Sequence, residues 1–271
     1  MLSNIEKIPF DVILEAGQSN AQGCGKGAVT KEYVADEDIL YLVRDFTVNE
    51  KIEGGVWNFS LDYKGTPLRI EVADERCGDE GRIGDFALTF AEKYKSEGYL
   101  ENGRRLLIIR AGVGGTGFKK KQWTPDGAVY LKMLEMIDFA LSLNPENKLT
   151  AFLWHQGEHD AFEGNEPDTF KSQLEYLVSE VKKRYNVPTI PFISGDFVNE
   201  WKSENIKSCA PIVERIKAVT AAEGGIFVET ADLKSNNQAI GNGDNIHFSR
   251  ESLHILGERY FAAFESIVKS K

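Results

Sequence analysis

Five short apolar runs set apart by long helical stretches are what most constrain the fold of this chain. Phe10–Leu14, Arg105–Arg110, Leu149–Trp154, Pro191–Ser194 and Gly225–Glu229 are apolar along most of their length, with little polar alternation. A strand apolar on both faces must be covered on both faces, the pattern of a parallel sheet in an α/β protein. Between the runs lie amphipathic stretches. One opens at Asp85; residues 127–143 align Val129, Met133, Leu134, Met136, Ile137 and Leu141; residues 168–185 align Phe170, Leu174, Leu177, Val178 and Val181. A further stretch carries Ile212, Val213, Ile216 and Val219, and a long C-terminal helix, capped near Ser249, carries Leu253, Leu256, Tyr260 and Phe264. The alternation predicts a three-layer α/β/α domain with a mainly parallel, flavodoxin-like, five-stranded sheet. Two other β-like pieces, Ile39–Val43 and Leu68–Val72, flank an aromatic segment, Trp57–Tyr63. They predict an insertion around 39–80 that leaves the main sheet, either a satellite aromatic cluster or a substrate rim.

With 271 residues and 42% hydrophobic content, the chain can bury one substantial core. No repeat or linker-like stretch divides it, so a single domain over 1–271 is expected. The 32 basic and 42 acidic residues give a net charge of −10, which argues against nucleic acid as a partner. The one short basic run, Lys119–Lys121, reads as a solvated loop. No apolar run approaches the ~20 residues that span a bilayer, so no membrane partner is expected. The first residues lack a charged-then-apolar leader, so a cytoplasmic location is expected, although a secreted protein trimmed of its leader would read the same. Cys24, Cys77 and Cys209, odd in number and widely spaced, suggest neither a disulfide framework nor a cysteine metal site.

The chemistry gathers at the strand ends. The first run leads into Gly17-Gln18-Ser19-Asn20, a serine presented at the edge where open α/β sheets bind ligands. Taken alone, Ser19 reads more simply as a helix N-cap. Three further polar segments change its weight: the strand ends Gly114-Gly115-Thr116-Gly117 and His155–Asp160, and Asp244-Asn245-Ile246-His247 just before the last helix. A serine hydroxyl is a weak nucleophile that needs an adjacent base, and a carboxylate can fix the tautomer of a histidine serving as that base. Backbone N–H groups of Ser19 and of Gly114 or Gly115, joined by the Gln156 amide, suit a developing oxyanion.

Gly17–Asn20, Gly114–Gly117, Trp154–Asp160 and Asp244–His247 together resemble the SGNH (GDSL-type) hydrolases. More narrowly they resemble the sialate O-acetylesterase and acetylxylan esterase branch, carbohydrate esterase family six. The four blocks run in order from residue 17 to 247. The resemblance implies the SGNH hydrolase fold, with Ser19 as nucleophile, His247 as base and Asp244 orienting it. It further implies an oxyanion hole from Ser19, Gly115 (or Gly114) and Gln156. The implied reaction removes acetyl groups from a small-molecule or oligosaccharide substrate through an acetyl-serine, with no metal or cofactor. Gln18, Asn20, Trp123, Glu158 and His159 lie near these blocks and could serve the substrate or support the loops. Glu158 could instead orient His247, but loop support is the favoured role. Ala21, His159 and Gly84-Asp85 depart from the family pattern, and the first two bear on the substrate.

Three rivals compete. His155-Gln156-Gly157-Glu158-His159 matches HxxEH, a zinc-protease pattern, but that motif needs a helix to align its histidines, and here it follows a strand-like run and contains a glycine. A lipase or thioesterase of the same superfamily would act on other short acyl esters. A non-catalytic carbohydrate-binding module would leave the serine, amide, aspartate and histidine without a shared purpose. His155 is expected to be structural, Cys24 a small filler, and His254 a packing or surface residue.

Overall fold

All five apolar runs become strands, and the sheet they build has seven members. The computed structural model describes residues 5–45, 47–53, 56–63, 65–75 and 84–270. Its strands are β1 (Phe10–Gly17), β2 (Ile39–Arg44), β3 (Thr47–Glu53), β4 (Val56–Asp62), β5 (Leu68–Val72), β6 (Arg105–Arg110), β7 (Lys148–His155), β8 (Phe192–Gly195) and β9 (Ile226–Val228). The main sheet runs β5-β2-β6-β1-β7-β8-β9, parallel throughout except for β5 at one edge. The five predicted strands form its contiguous part, β6-β1-β7-β8-β9, which is the flavodoxin-like order.

The expectation for residues 39–80 is corrected here. Ile39–Val43 and Leu68–Val72 do not leave the main sheet; they extend it. β2 pairs in parallel with β6, Ile39 opposite Leu106 through Leu42 opposite Ile109, and its Ile39, Leu40, Tyr41 and Leu42 are all buried. It therefore has the doubly covered character of the other strands. β5 closes the edge antiparallel to β2 and is only half-buried. Among the described strands, only the β3–β4 hairpin stands outside. The aromatic cluster expected of Trp57–Tyr63 concerns side chains outside the described set except for Tyr63, which is buried. Cys77 also lies outside the described residues.

The helices are α1 (Ser19–Gln22), α2 (Phe86–Ser96), α3 (Ala128–Ser142), α4 (Glu158–Phe162), α5 (Pro167–Arg184), α6 (Asn199–Glu204), α7 (Ile206–Ala222), α8 (Asn236–Ile240) and α9 (Arg250–Lys269). One face of the sheet packs on α3, α5 and α7, the other on α2 and α9. β1 divides itself between them: Val12, Leu14 and Ala16 enter the first core, Ile13 the second, all fully buried. Each such large aliphatic side chain contributes about 1.5–3 kcal/mol. Caps fix where helices begin: the Asp85 carboxylate accepts from Ala87 N at 2.8 Å at the start of α2, and Ser249 Oγ accepts from Ser252 N at 3.2 Å at the start of α9. No described helix is long and apolar enough to cross a membrane.

β6 and β7 flank β1 on opposite sides, so the direction of winding reverses at β1. Such a reversal opens a crevice outside the carboxyl ends of the strands. The segments after β1, β6 and β7 all emerge there.

Candidate active site

The turn after β1 is shaped by one glycine. Gly17 has φ +143°, and a Cβ there would fall 2.0 Å from the His155 carbonyl oxygen. Only glycine lets β1 end this close to β7. Gln18 N then donates to that carbonyl at 3.0 Å and Gln18 takes the cap position of α1. Ser19 is thus the first residue of the helix rather than its cap, 7% exposed. Behind the turn, Arg110 Nη2 donates to the Gln22 carbonyl at 2.5 Å, and its Nε lies 3.4 Å from Asp85 and 3.8 Å from Glu15. Burial, then the Asp85 charge, pushes the Glu15 carboxyl well above its ordinary range.

The loop carrying Asp244 and His247 lies between α8 and α9. His247 Nδ1 is 2.9 and 3.0 Å from the two Asp244 oxygens. When the Nδ1–H donates to that carboxylate, Nε2 is left as the ring's acceptor. Burial alone would raise Asp244, but hydrogen bonds from His247 and Asn236 outweigh it and hold the carboxyl down at about 2. Asn236, fully buried, donates from Nδ2 to Asp244 Oδ2 and to the Cys24 carbonyl, both at 2.9 Å. Its Oδ1 accepts from Lys26 N at 2.7 Å, and its backbone N donates to the His247 carbonyl at 2.9 Å.

Asn20 joins the two segments. Its Oδ1 accepts from Phe248 N at 3.0 Å, while Nδ2 donates to the Ile246 carbonyl at 3.2 Å and to Glu158 Oε1 at 2.9 Å. The residue after Ser19 therefore grips both neighbours of His247. Glu158 pairs with Asn20, not with His247; it is fully buried, and burial raises its pKa despite the Asn20 bond.

The glycine segment after β6 approaches Ser19. A Cβ on Gly114 would lie 3.4 Å from Ser19 Cβ, and Gly114 N donates to Gln22 Oε1 at 2.8 Å. Gly115 follows with φ +69°. Gln156 is buried at the end of β7, with Nε2 2.6 Å from Asp160 Oδ2; its other contacts, Thr116 O at 3.3 Å and Gln18 Oε1 at 3.4 Å, are long. Asp160 also accepts from Phe118 N, Lys119 N and Asn165 Nδ2, at 3.0, 2.7 and 2.8 Å, and so ties the glycine segment to α4. Gln18 Oε1 accepts from His159 N at 3.0 Å.

Trp123 is 1% exposed, its indole N–H donating to Thr116 Oγ1 at 3.0 Å and its ring edge-on to Trp154. It packs beneath the glycine segment, between Thr116 and Trp154. His159 packs its ring against Gly117 and near the exposed Phe162; burial lowers its pKa. His155 is fully buried, and burial drives it down to about 3. Tyr260 donates to the Trp154 carbonyl at 2.9 Å and stands 3.0 Å from His155 Nδ1, so that nitrogen carries the proton. Because His155 ends β7 while Glu158 and His159 open α4, the HxxEH histidines share no helix face. Among the described residues no group of three His, Cys, Asp or Glu side chains could hold a metal ion. His254 bonds Glu75, and Cys24 is buried.

Sequence reasoning missed Asn236, Asp160 and Gln22. Asp160 stood inside the Trp154–Asp160 block and could have been flagged there. For Asn236 the available signal was Ser235 with Gln238 three residues on, a capping box that marks a helix start but says nothing of the bridge.

A family model described as carbohydrate esterase, sialic acid-specific acetylesterase, matches residues 9–266. The chain belongs to this family. A probable carbohydrate esterase of Arabidopsis thaliana is 23% identical over 189 residues, 68% of each chain. The crystal structure of that Arabidopsis protein superposes with a TM-score of 0.67 at 16% identity, covering 95% of this chain and 98% of the other. The crystal structure of NanS gives 0.72 at 17% identity, covering 97% and 98%. A lipase/acylhydrolase from Enterococcus faecalis gives 0.51 at 12% identity, covering 96% of each chain. The fold is that of the SGNH/GDSL hydrolases, and the family assigns this chain to the carbohydrate esterases.

Proposed function

We propose that this carbohydrate esterase removes O-acetyl groups from sugars through an acetyl-serine on Ser19. One observation carries the reading: Asn20, next to Ser19, bonds the residues on both sides of His247, while Asp244 bonds Nδ1 of the same histidine. His247 Nε2 takes the Ser19 proton as Oγ attacks the acetyl carbonyl, and Asp244 stabilises the imidazolium that forms. The oxyanion is met by the backbone N–H groups of Ser19 and Gly115, since Gly114 N already donates to Gln22. Gln156 keeps one N–H on Asp160; its other, held only by long contacts, is the one left for the oxyanion. The sugar oxygen leaves with the proton from His247, and water then repeats the sequence on the acetyl-serine. The acetyl group and the sugar alcohol are supported by the family's description; sialic acids and xylo-oligosaccharides are the two sugar classes to test.

The test is hydrolysis of p-nitrophenyl acetate, butyrate and octanoate by the wild type and Ser19→Ala, followed by release of acetate from O-acetylated sialic acids and acetylated xylo-oligosaccharides. The reading expects activity to fall steeply beyond acetyl and to vanish in Ser19→Ala. Octanoate as the preferred ester would favour a lipase or thioesterase instead.

A further inference from the structure

The nucleophile turn and the base loop are more than 200 residues apart in sequence, yet two buried asparagines cross between them in opposite directions. Asn20, on the nucleophile side, reaches out to the backbone of the base loop at Ile246 and Phe248. Asn236, on the base side, reaches back to the backbone beyond the nucleophile at Cys24 and Lys26. Each is 1% exposed or less, and each spends both amide N–H groups and its carbonyl oxygen.

Neither amide can be turned over. Rotating Asn20 would aim its oxygen at Glu158 Oε1 and the Ile246 carbonyl, two acceptors, and its N–H groups at the Phe248 N–H. Rotating Asn236 would aim its oxygen at Asp244 Oδ2 and the Cys24 carbonyl. Each crossing also has an anchor in the site. For Asn20 it is the buried carboxylate of Glu158; for Asn236 it is Asp244, the carboxylate that holds His247. A bond made to backbone on both sides of His247 fixes where the imidazole stands. A bond from Asn236 to Asp244 Oδ2, one of the two oxygens that face His247 Nδ1, fixes how that carboxylate meets the ring.

We propose that Asn20 and Asn236 are a reciprocal pair of positioning residues that set the Ser19–His247 approach. The proposal rests on the acetyl-serine reading above. Neither side chain takes part in bond making; their contribution is geometric, and a displacement of about 1 Å at a reacting pair costs on the order of a hundredfold in rate.

The test compares Asn20→Ala, Asn236→Ala, and the isosteric Asn20→Asp and Asn236→Asp with wild type and Ser19→Ala. Readouts are kcat and KM for p-nitrophenyl acetate, the pH–rate profile, and the thermal unfolding transition. The proposal expects kcat to fall about a hundredfold in each alanine variant with KM within about threefold, in protein that still unfolds cooperatively. Asn236→Asp sets a second carboxylate beside Asp244, favours the protonated imidazolium and moves the acid limb of the pH profile to higher pH. Ser19→Ala inactive with both alanine variants at wild-type kcat overturns the proposal and leaves the serine reading standing. Ser19→Ala fully active overturns the reading and the proposal with it. An alanine variant without an unfolding transition is replaced by the smaller change to Ser, and loss of the fold there too counts against the proposal, because the bonds are then structural only.

Discussion

His247 and Asp244 are each about a quarter exposed, 24% and 23%, whereas His155, which ends β7, and Glu158, which opens α4, are fully buried. In the first pair the nitrogen and oxygen meet at 2.9 Å; in the second the nearest approach is 3.8 Å. Asp244 gathers donors and is held down at about 2, ready to balance a positive ring; Glu158 is raised by burial and gives its one bonded oxygen to Asn20. His155 is driven to about 3 with its Nδ1 proton committed to Tyr260. Residue type alone would allow either pair to do acid–base work. On the proposed reading the work falls to the quarter-exposed pair, because a base has to accept and return a proton, and a dry, fixed histidine cannot be charged at modest cost.

The sharpest way to break this comparison is to remove each histidine. His247→Ala should lower kcat for p-nitrophenyl acetate by on the order of 10³-fold or more while leaving the unfolding temperature near wild type. His155→Ala should do the reverse, costing about 2–4 kcal/mol of stability through the cavity and the lost Tyr260 bond, with kcat within severalfold of wild type. Similar losses of kcat in both would erase the distinction. The carboxylates follow: Asp244→Asn should lower kcat by about 10²–10⁴-fold by favouring the wrong tautomer. Glu158→Gln, which can still accept from Asn20, should cost less than about tenfold, the expectation for keeping the hydrogen bond while changing only the charge.

Acid stability separates the pairs next. The His155 pKa is lower in the folded chain than in the unfolded one, so the unfolded chain binds a proton first. Stability therefore declines as pH falls below about 6.5 and continues to decline towards about 3. The slope for that one proton is at most about 1.4 kcal/mol per pH unit. Glu158, raised on folding, acts in the opposite sense over the range between its folded and unfolded values. Asp244, depressed on folding, contributes stability above about 4 that is lost only as pH falls towards about 2. Urea unfolding at pH 7, 6, 5 and 4 should show a loss of stability that is flatter in His155→Gln. An unchanged slope in that variant would mean that His155 is not the group responsible. The smallest effect belongs to Tyr260→Phe, which removes the hydroxyl between His155 and the Trp154 carbonyl and should cost about 1–2 kcal/mol without changing kcat.

Much of this was legible in the sequence, for identifiable reasons. The continuous apolar runs at Arg105–Arg110 and Leu149–Trp154 could be little other than doubly covered strands, and the helical periodicities between them fixed the layers. Ser19, Asp244 and His247 stood at strand or loop ends with no core role to explain them. Ile39–Val43 and Leu68–Val72 read as strands, but their place in the main sheet does not, because the pairing of β2 with β6, nearly seventy residues on, leaves no local trace. α1 and α4, at four and five residues, are too short to show a period. Asn236 and Asp160 are single polar residues whose importance lies wholly in partners distant in the chain, which no local pattern records.

The central claim, that Ser19 is the acylated nucleophile and His247 its base, is tested most directly by covalent labelling. The wild type and His247→Ala would each be treated with a serine-directed fluorophosphonate and the adduct located by peptide mass spectrometry. The account predicts one adduct per chain on the peptide containing Ser19, formed at least about a hundredfold more slowly in His247→Ala. Label on another residue, or no label on an enzyme that still hydrolyses p-nitrophenyl acetate, would contradict it.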